Sequence, residues 1–462
     1  MNIALLFISV RDKFHYESWY YMPREPTEII KEVERKNIKY IRFVIVDVFG
    51  RPKGVIVRKY TLKDYLTDGV GFDGSSVPGY ADIEDSDLVM IPDMDTFIIT
   101  PWWDRTALMF CHVYKDERPH PHDPRFVLRG VMDKIQKLGY KVGVGVELEF
   151  FLVKRIGKEI VPYDRGEYFD YEPLNEGVHF KVRLMEMLES LGFRFEKLHH
   201  EVAPGQYEMD FMYDDLLSTA DRVILFKLAA KCVAKKMGLI ATFMPKPFWG
   251  INGSGAHLHL SLHSIDGENL FMLERRSPYR LSSIALSFIA GVLSHARALS
   301  AIVSPTVNSY KRLVPGHEAP VYISWGYGNR STLIRVPVYR TGKAKIEYRH
   351  PDPSFNPYLA FASVALAGID GVERGLRPED HVDYNVYHRH EGLPCLPETL
   401  EEALQELLKD ELLVEGLGRS LMEKYIKLRR KEWEDYIEAH GGWEKSRYCI
   451  TEWEIDRYLE LA

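Results

Sequence analysis

The stretch from Met244 to Leu262, MPKPFWGINGSGAHLHLSL, constrains this 462-residue chain more than any other. Its prolines bound a turn that Phe248, Trp249 and Ile251 can bury, and Gly250, Gly253 and Gly255 let the backbone approach a ligand or take a positive φ. An alternating run comes next. Side chains at every second position of a strand share a face, so His257, His259 and Ser261 project one way and Leu258, Leu260 and Leu262 the other. A polar row backed by a leucine row is the wall of a site.

Other segments repeat that pattern. Residues 141–153, 194–201, 206–211 and 346–349 read as strands carrying polar residues, and none is the continuous apolar run that a parallel, doubly wound sheet needs. Helical patterns cover residues 215–236, 282–302, 356–375, 400–408 and 419–438. The expected fold is α+β, with a mainly antiparallel, curved sheet whose one face is open to a ligand and whose other is backed by helices. Ahead of it, a helix over 28–37 and strands over 40–48, 54–58, 89–91 and 107–114 make a small, sheet-rich N-terminal domain. Asp123 followed by Pro124 is an N-cap with proline in the first turn, and it marks the boundary. The expected units are an extension over 1–26, a small domain over 27–123 and a catalytic domain over 124–462. Residues 1–21 differ in character from the rest of the chain, and translation is expected to start at Met22.

Composition excludes several function classes. The chain is 46% hydrophobic and 27% charged, the balance of a globular enzyme. A net charge of −7 lacks the basic surplus that nucleic-acid binding requires, so no such partner is expected. Four cysteines, at 111, 232, 395 and 449, show no metal-finger spacing, which points to reduced thiols and the cytoplasm. The apolar opening over 3–10 is shorter than the ~20 residues that span a bilayer, and no membrane role is expected.

Acidic residues carry the chemistry. Val146-Glu147-Leu148-Glu149-Phe150 places two carboxylates on one strand face, where they repel unless a cation or proton lies between them. Taken alone, this ExE also fits a solvated edge strand. Glu201 and Glu208 flank the Pro204-Gly205 turn, so a hairpin can bring them together. Glu347 lies between Lys345 and Arg349. With His257 these five carboxylates suit Mg²⁺ or Mn²⁺ rather than zinc, because hard cations take oxygen ligands. Two adjacent cations imply phosphoryl transfer or metal-assisted hydrolysis. Arg312, Arg330, Arg335, Lys343 and Arg349 supply charge for a triphosphate and a carboxylate substrate. There is no Walker or protein-kinase motif, so ATP needs another architecture.

Seven motifs in order then resemble type I glutamine synthetase from about Thr27 onward. They are Phe72-Asp73-Gly74-Ser75-Ser76, Glu147-Leu148-Glu149-Phe150-Phe151, the hairpin from His199 to Glu208, the stretch from Met244 to Leu262, Asn308-Ser309-Tyr310-Lys311-Arg312-Leu313-Val314-Pro315-Gly316, Asn329-Arg330-Ser331 and Pro351-Asp352-Pro353. The resemblance implies a β-grasp domain before the catalytic one, and active sites between neighbouring subunits of two stacked hexameric rings. By position it implies two or more metal ions, the first held by Glu149, Glu201 and Glu208 and the second by Glu147, His257 and Glu347. Asn252, Gly253, Arg312, Glu318 and Arg349 match glutamate contacts. Glu196, His259, Ser261, Arg330, Arg335 and Lys343 match ATP contacts, with Arg330 at the transferring phosphoryl group. Asp73, Ser76, Tyr168, Glu201 and Glu318 match an ammonium pocket in which Asp73 takes the proton. The implied reaction joins glutamate and ammonium through γ-glutamyl phosphate.

Some positions depart from the family pattern. Gly328 stands where an arginine is common, and Lys345 replaces a nucleotide-side arginine, keeping charge but losing the bidentate fork. Tyr387 lies near a tyrosine that some members adenylylate, but its surroundings differ and adenylylation is not expected. Asp82 occupies the place of a feedback-control arginine. The tail over 450–461 resembles tails of relatives that join glutamate to organic amines, so a γ-glutamyl ligase using an organic amine or polyamine is the nearest rival. A catalytically silent sensor or structural ring would have lost a metal ligand or Asp73, and neither is lost. A two-metal hydrolase would leave the arginines and Asp73 unexplained.

Overall fold

Residues 40–46 read YIRFVIV without clean alternation because both faces of that strand are covered. Ile41, Phe43 and Ile45 pack with Ile29, Val33, Leu62 and Leu66 of two small helices, Pro26–Arg35 and Leu62–Asp68. Val44 and Val46 face the opposite way into the main core, beside Leu108, Phe110 and Leu128. The computed structural model describes residues 24–272, 281–338 and 344–461; the start at Met22, most of the 1–26 extension and Lys343 lie outside them.

Among the described residues the smaller sheet has seven strands. Its main path runs Pro52–Arg58, Tyr40–Val46, Thr106–Lys115, Asp87–Pro92, Val70–Asp73, and only the pairing of Tyr40–Val46 with Thr106–Lys115 is parallel. The larger sheet has nine strands, in the main order Phe195–His200, Gln206–Asp215, Tyr140–Ile156, Ala256–Ser264, Ile346–Tyr348, Ile334–Val336, Trp325–Tyr327. All its pairings are antiparallel except that of the last two strands. The α+β expectation holds, and the helices Pro124–Lys137 and Leu216–Lys236 back this sheet, with Pro357–Glu373 packed on them. No single helix among the described residues is long and apolar enough to cross a bilayer.

One helix differs from the sequence expectation. Residues 282–302 form two helices, Ser283–Ser294 and Ala296–Val303, meeting at 72°. At the joint the His295 ring is held between Asp410 Oδ2 at 2.6 Å and Asp370 Oδ2 at 3.3 Å. The segment is apolar on nearly every side, so its periodicity carries no mark of the bend.

Asn356 fixes the small sheet to the catalytic core. Its Oδ1 accepts from the Tyr358 and Leu359 amides and caps the Pro357–Glu373 helix, while its Nδ2 donates to the Asp47 and Val48 carbonyls. Asn356→Ala removes the cap and takes the side-chain donor from two buried carbonyls, of which that of Asp47 keeps the Gly50 amide. It is expected to cost about 2–4 kcal/mol, read as a lower urea midpoint at unchanged slope.

Candidate active site

Residues 143–149, GVGVELE, give one strand face to Gly143, Gly145, Glu147 and Glu149 and the other to Val144, Val146 and Leu148, which lie in the core. The glycines leave space, since a Cβ on Gly143 would stand 3.1 Å from Ser261 Oγ and one on Gly145 3.2 Å from the Tyr213 side chain. Register does the rest. Asp210 pairs with Glu147 from one side and His257 from the other, Glu208 pairs with Glu149, and Glu347 with His259. Four strands of alternating residues thereby lay one polar row across the sheet, because each strand buries its apolar set in the same core.

The row opens into a cavity of about 810 Å³. Glu147, Glu149, Glu201, Glu208 and His257 line its acidic side, while Arg330 and Arg349 line another. A small recess of about 30 Å³ shares Glu149, Glu201, His257, Glu318 and Arg349 with it and adds Asn252, Gly253 and Arg312. Gly253 is required there, because a Cβ would stand 2.4 Å from the Pro245 carbonyl and 3.2 Å from Arg312 Cγ. Glu318 sits at φ 57°, an unusual conformation for glutamate, and accepts from Asn252 Nδ2 at 3.1 Å.

The carboxylates differ in environment. Burial pushes the Glu201 carboxyl up from 4.5 to about 9, aided by the charges of Glu149 and Glu208. Asp210 is likewise raised to about 9 by burial, then by Glu208 and Glu147. Burial also raises Glu149, which accepts from the Gly255 amide at 2.8 Å and Gln206 Nε2 at 3.0 Å. For Glu347, burial is outweighed by Arg349 and by His259 and His257, and the carboxyl is held at about 2. Arg335 and Arg349 each donate to it. Burial of Glu147 is outweighed by His259, whose Nε2 stands 2.7 Å away, and by His257.

Several expected residues fall outside the cavity lining. His259 and Ser261 continue the polar row beyond it, and Arg335 is engaged with Glu347. Glu196 stands exposed where the hairpin pairing is irregular. Asp73 and Ser76 lie on the small domain, exposed or nearly so, and Asp73 accepts from the Ser76 hydroxyl at 2.6 Å and the Ser75 amide at 2.9 Å. Neither reaches the cavity within one chain. Tyr168 does, stacked on Phe169 at 4.1 Å.

Three residues were missed by sequence reasoning. Lys197 lines the cavity and bridges Glu208 Oε1 at 2.6 Å and Asp210 Oδ2 at 2.7 Å. His199 Nε2 lies 3.0 Å from Glu208 Oε1, and its Nδ1 is 3.5 Å from Glu201 Oε1. Asp210 completes the set. Alternation on the two hairpin strands puts Lys197 and His199 on one face, and Glu208 and Asp210 on one face, which was a usable signal.

The donor set fits a divalent cation. Glu147, Glu208 and His257 bring ligand atoms within 4.8 Å of one another, and so do His199, Glu201 and Glu208. Oxygen-rich donors with one imidazole suit a hard or borderline ion, and an ion there would offset both the burial of Glu201 and its repulsion by Glu149 and Glu208. These groupings cut across the expected pairs, with Glu208 common to both.

Residues 37–116 match the family described as Glutamine synthetase, beta-Grasp domain, and residues 121–448 match Glutamine synthetase, catalytic domain. The chain is 48% identical over 434 residues to the glutamine synthetase of Pyrococcus woesei, covering 92% of this chain and 97% of that one. It is 42% identical over 448 residues to that of Thermotoga maritima, covering 94% and 99%. A solved structure described as GmaS/ADP complex-Conformation 1 is similar with TM-score 0.84 at 33% identity, covering 93% of this chain and 98% of that one.

A carboxyl raised in the folded state costs nothing below its unfolded value and disfavours folding progressively above it. Glu201 and Asp210 therefore weaken the metal-free protein as pH climbs from the ordinary carboxylate range to about 9. Thermal melts in EDTA are expected to fall across that window, and millimolar Mg²⁺ to flatten the fall. Glu201→Gln should remove part of it without metal and leave the share of Asp210. Parallel curves with and without Mg²⁺ would rule out this coupling.

Proposed function

The chain belongs to the glutamine synthetase family, and from that premise we propose how its own residues carry out the ATP-dependent joining of ammonium to glutamate. The carrying observation is the juxtaposition, around one cavity, of the acidic cluster with Arg330 and Arg349 and of the glycine-lined recess at Arg312. The recess supports the reading that Arg312, Asn252, Gly253, Glu318 and Arg349 hold glutamate with its γ-carboxylate toward the larger cavity. Similarity to a structure described with ADP supports a nucleotide in that cavity.

The assigned reaction has two steps. An oxygen of the γ-carboxylate attacks the terminal phosphorus of ATP, the bond to the β-phosphate oxygen breaks, and ADP leaves as γ-glutamyl phosphate forms. Arg330 stabilises charge on the phosphoryl group in flight. Ammonium then gives a proton to a carboxylate, its nitrogen attacks the γ-carbonyl carbon, and inorganic phosphate leaves with glutamine formed. Mg²⁺ or Mn²⁺, held among Glu147, Glu149, Glu201, Glu208, His257 and Glu347 with His199 beside them, would neutralise and orient the phosphates. Glu318, on the segment after Pro315-Gly316, is positioned to cover the acyl phosphate and exclude water.

Ammonium needs a negative pocket. Tyr168, Glu201 and Glu318 supply part of it. Ser76 first, then Ser75, hold the Asp73 carboxyl at about 2, so it stands ionised. We assign Asp73 and Ser76 to the cavity of a second copy, which accounts for their distance from the cavity of their own chain, and we extend this to two stacked hexameric rings. Free thiols at all four cysteines support a cytoplasmic setting.

A second reading keeps the chemistry and changes the nucleophile to an organic amine. Gly328 favours it, because the cavity wall at Tyr327-Gly328-Asn329 carries no side chain where the family commonly has an arginine.

Phosphate release from ATP with Mg²⁺ and glutamate tests both readings, comparing ammonium with a panel of amines. Saturation by ammonium with glutamine as product is expected, and release only with an organic amine moves the assignment to the second reading. Arg330→Ala should lower kcat by roughly 10²–10³-fold with smaller change in glutamate KM. Asp73→Ala and Arg330→Ala subunits, each nearly inactive alone, should regain activity when co-assembled. Absence of complementation would mean that each site is built within one chain.

A further inference from the structure

We infer that Glu454, in the C-terminal helix Glu452–Tyr458, is a positioning residue for glutamate binding, acting through Lys311 and Asn308 on the short helix Ser309–Arg312 and the 245–255 loop that form the recess. The inference rests on the assignment of that recess to glutamate.

Glu454 is fully buried, and so are Lys311 and Asn308. Its Oε2 accepts from Lys311 Nζ at 2.5 Å, and its Oε1 accepts from Asn308 Nδ2 at 2.8 Å. Lys311 immediately precedes Arg312, whose guanidinium lines the recess and donates to the His350 carbonyl at 2.8 Å. The remaining partners of Lys311 are the Tyr436 hydroxyl at 2.8 Å and the Cys449 carbonyl at 2.7 Å. Asn308 reaches the 245–255 loop. It accepts from the Lys246 amide at 2.6 Å and donates to the Lys246 carbonyl at 3.0 Å. Lys246 Nζ in turn donates to the Ile251 carbonyl, next to Asn252, and the Ser254 amide donates to the Pro245 carbonyl at 2.8 Å. One carboxylate therefore fastens Asn252-Gly253 and Arg312 together from behind.

The tail is held in place by more than this pair. Thr451 and Glu454 form a capping box that starts the helix. Leu459 is buried against Phe151, Val153 and Ala203, with Phe248, Ile251 and Ile455 around them. Trp453 stands edge-on to Tyr436 at 5.2 Å, and the Tyr458 hydroxyl donates to Glu432 at 2.5 Å. A buried ion pair is poor evidence of net stabilisation, because desolvation offsets its attraction. Its geometry is specific, however, and a shift of under an ångström in Arg312 is felt by a carboxylate substrate.

Glu454→Gln keeps the shape and removes the charge. Expected is a glutamate KM raised about tenfold, with kcat and the KM for ATP within about twofold. Amide exchange in segments 245–255 and 308–316 should quicken, while that of the Ala256–Ser264 strand stays the same. The double variant Lys311→Met/Glu454→Met removes both charges, and should recover thermal stability while keeping the raised glutamate KM. A double variant that restores glutamate KM together with stability overturns the inference, as does a Glu454→Gln protein that melts lower with unchanged glutamate KM. Arg312→Lys separates the two levels. If it leaves glutamate KM unchanged, the glutamate assignment fails and this inference with it; if it raises KM while Glu454→Gln does not, the inference alone fails.

Discussion

Six carboxylates, Glu147, Glu149, Glu201, Glu208, Asp210 and Glu347, stand near one another on one side of the larger sheet, all of them buried or half-buried. In such surroundings like charges repel far more than in bulk water. Lys197 at Glu208 and Asp210, Arg335 and Arg349 at Glu347, and the His257 and His259 rings at Glu147 offset part of that repulsion. Burial first, and the neighbouring carboxylates second, raise Glu201 and Asp210 to about 9. The protein by itself is electrostatically incomplete, and a divalent ion with a triphosphate is the kind of ligand that completes it.

Such a surface persists only if the other face is rigid. Val144, Val146, Leu148, Met209, Phe211, Leu258, Leu260, Leu262, Ile346 and Tyr348 belong to one core with the helices behind the sheet. A slip of one residue in any pairing would send glutamates into that core and leucines into the cavity, so hydrophobic burial sets the register of the ligands. Loops are then fastened from behind. Asp164, fully buried at its side chain, faces His200 Nε2 at 2.9 Å and accepts from the Tyr207 hydroxyl and the Gly205 amide, fixing the hairpin turn. Glu454 does the same for the recess.

Much of this was legible in the sequence, and for a definite reason. Period-two alternation marks a strand with one buried face, and it was visible in 143–149, 206–211 and 257–262, all of which are strands with the expected faces. Lys197, His199 and Asp210 carry the same signal, but their pairing across the hairpin depends on a register that the irregularity between Phe195 and Lys197 shifts. The bend at His295 left no pattern, because a segment so apolar has too few polar residues to show a shift of phase. The short helices Leu62–Asp68, Glu411–Leu417 and Glu452–Tyr458 span too few turns for periodicity to stand out.

Local alternation and turn chemistry are properties of neighbouring residues, so the sequence alone determined which side chains share a face, the α+β class and the residue types able to meet a cation and a phosphate. Which glutamate stands opposite which histidine was decided only by the pairing of strands more than a hundred residues apart, as with Glu147 and His257. The same holds for the buried link from Glu454 to Asn308 and Lys311, and for the distance of Asp73 from the cavity of its own chain. Contacts of that range depend on how whole elements bury their apolar faces against one another, and no local pattern records that outcome.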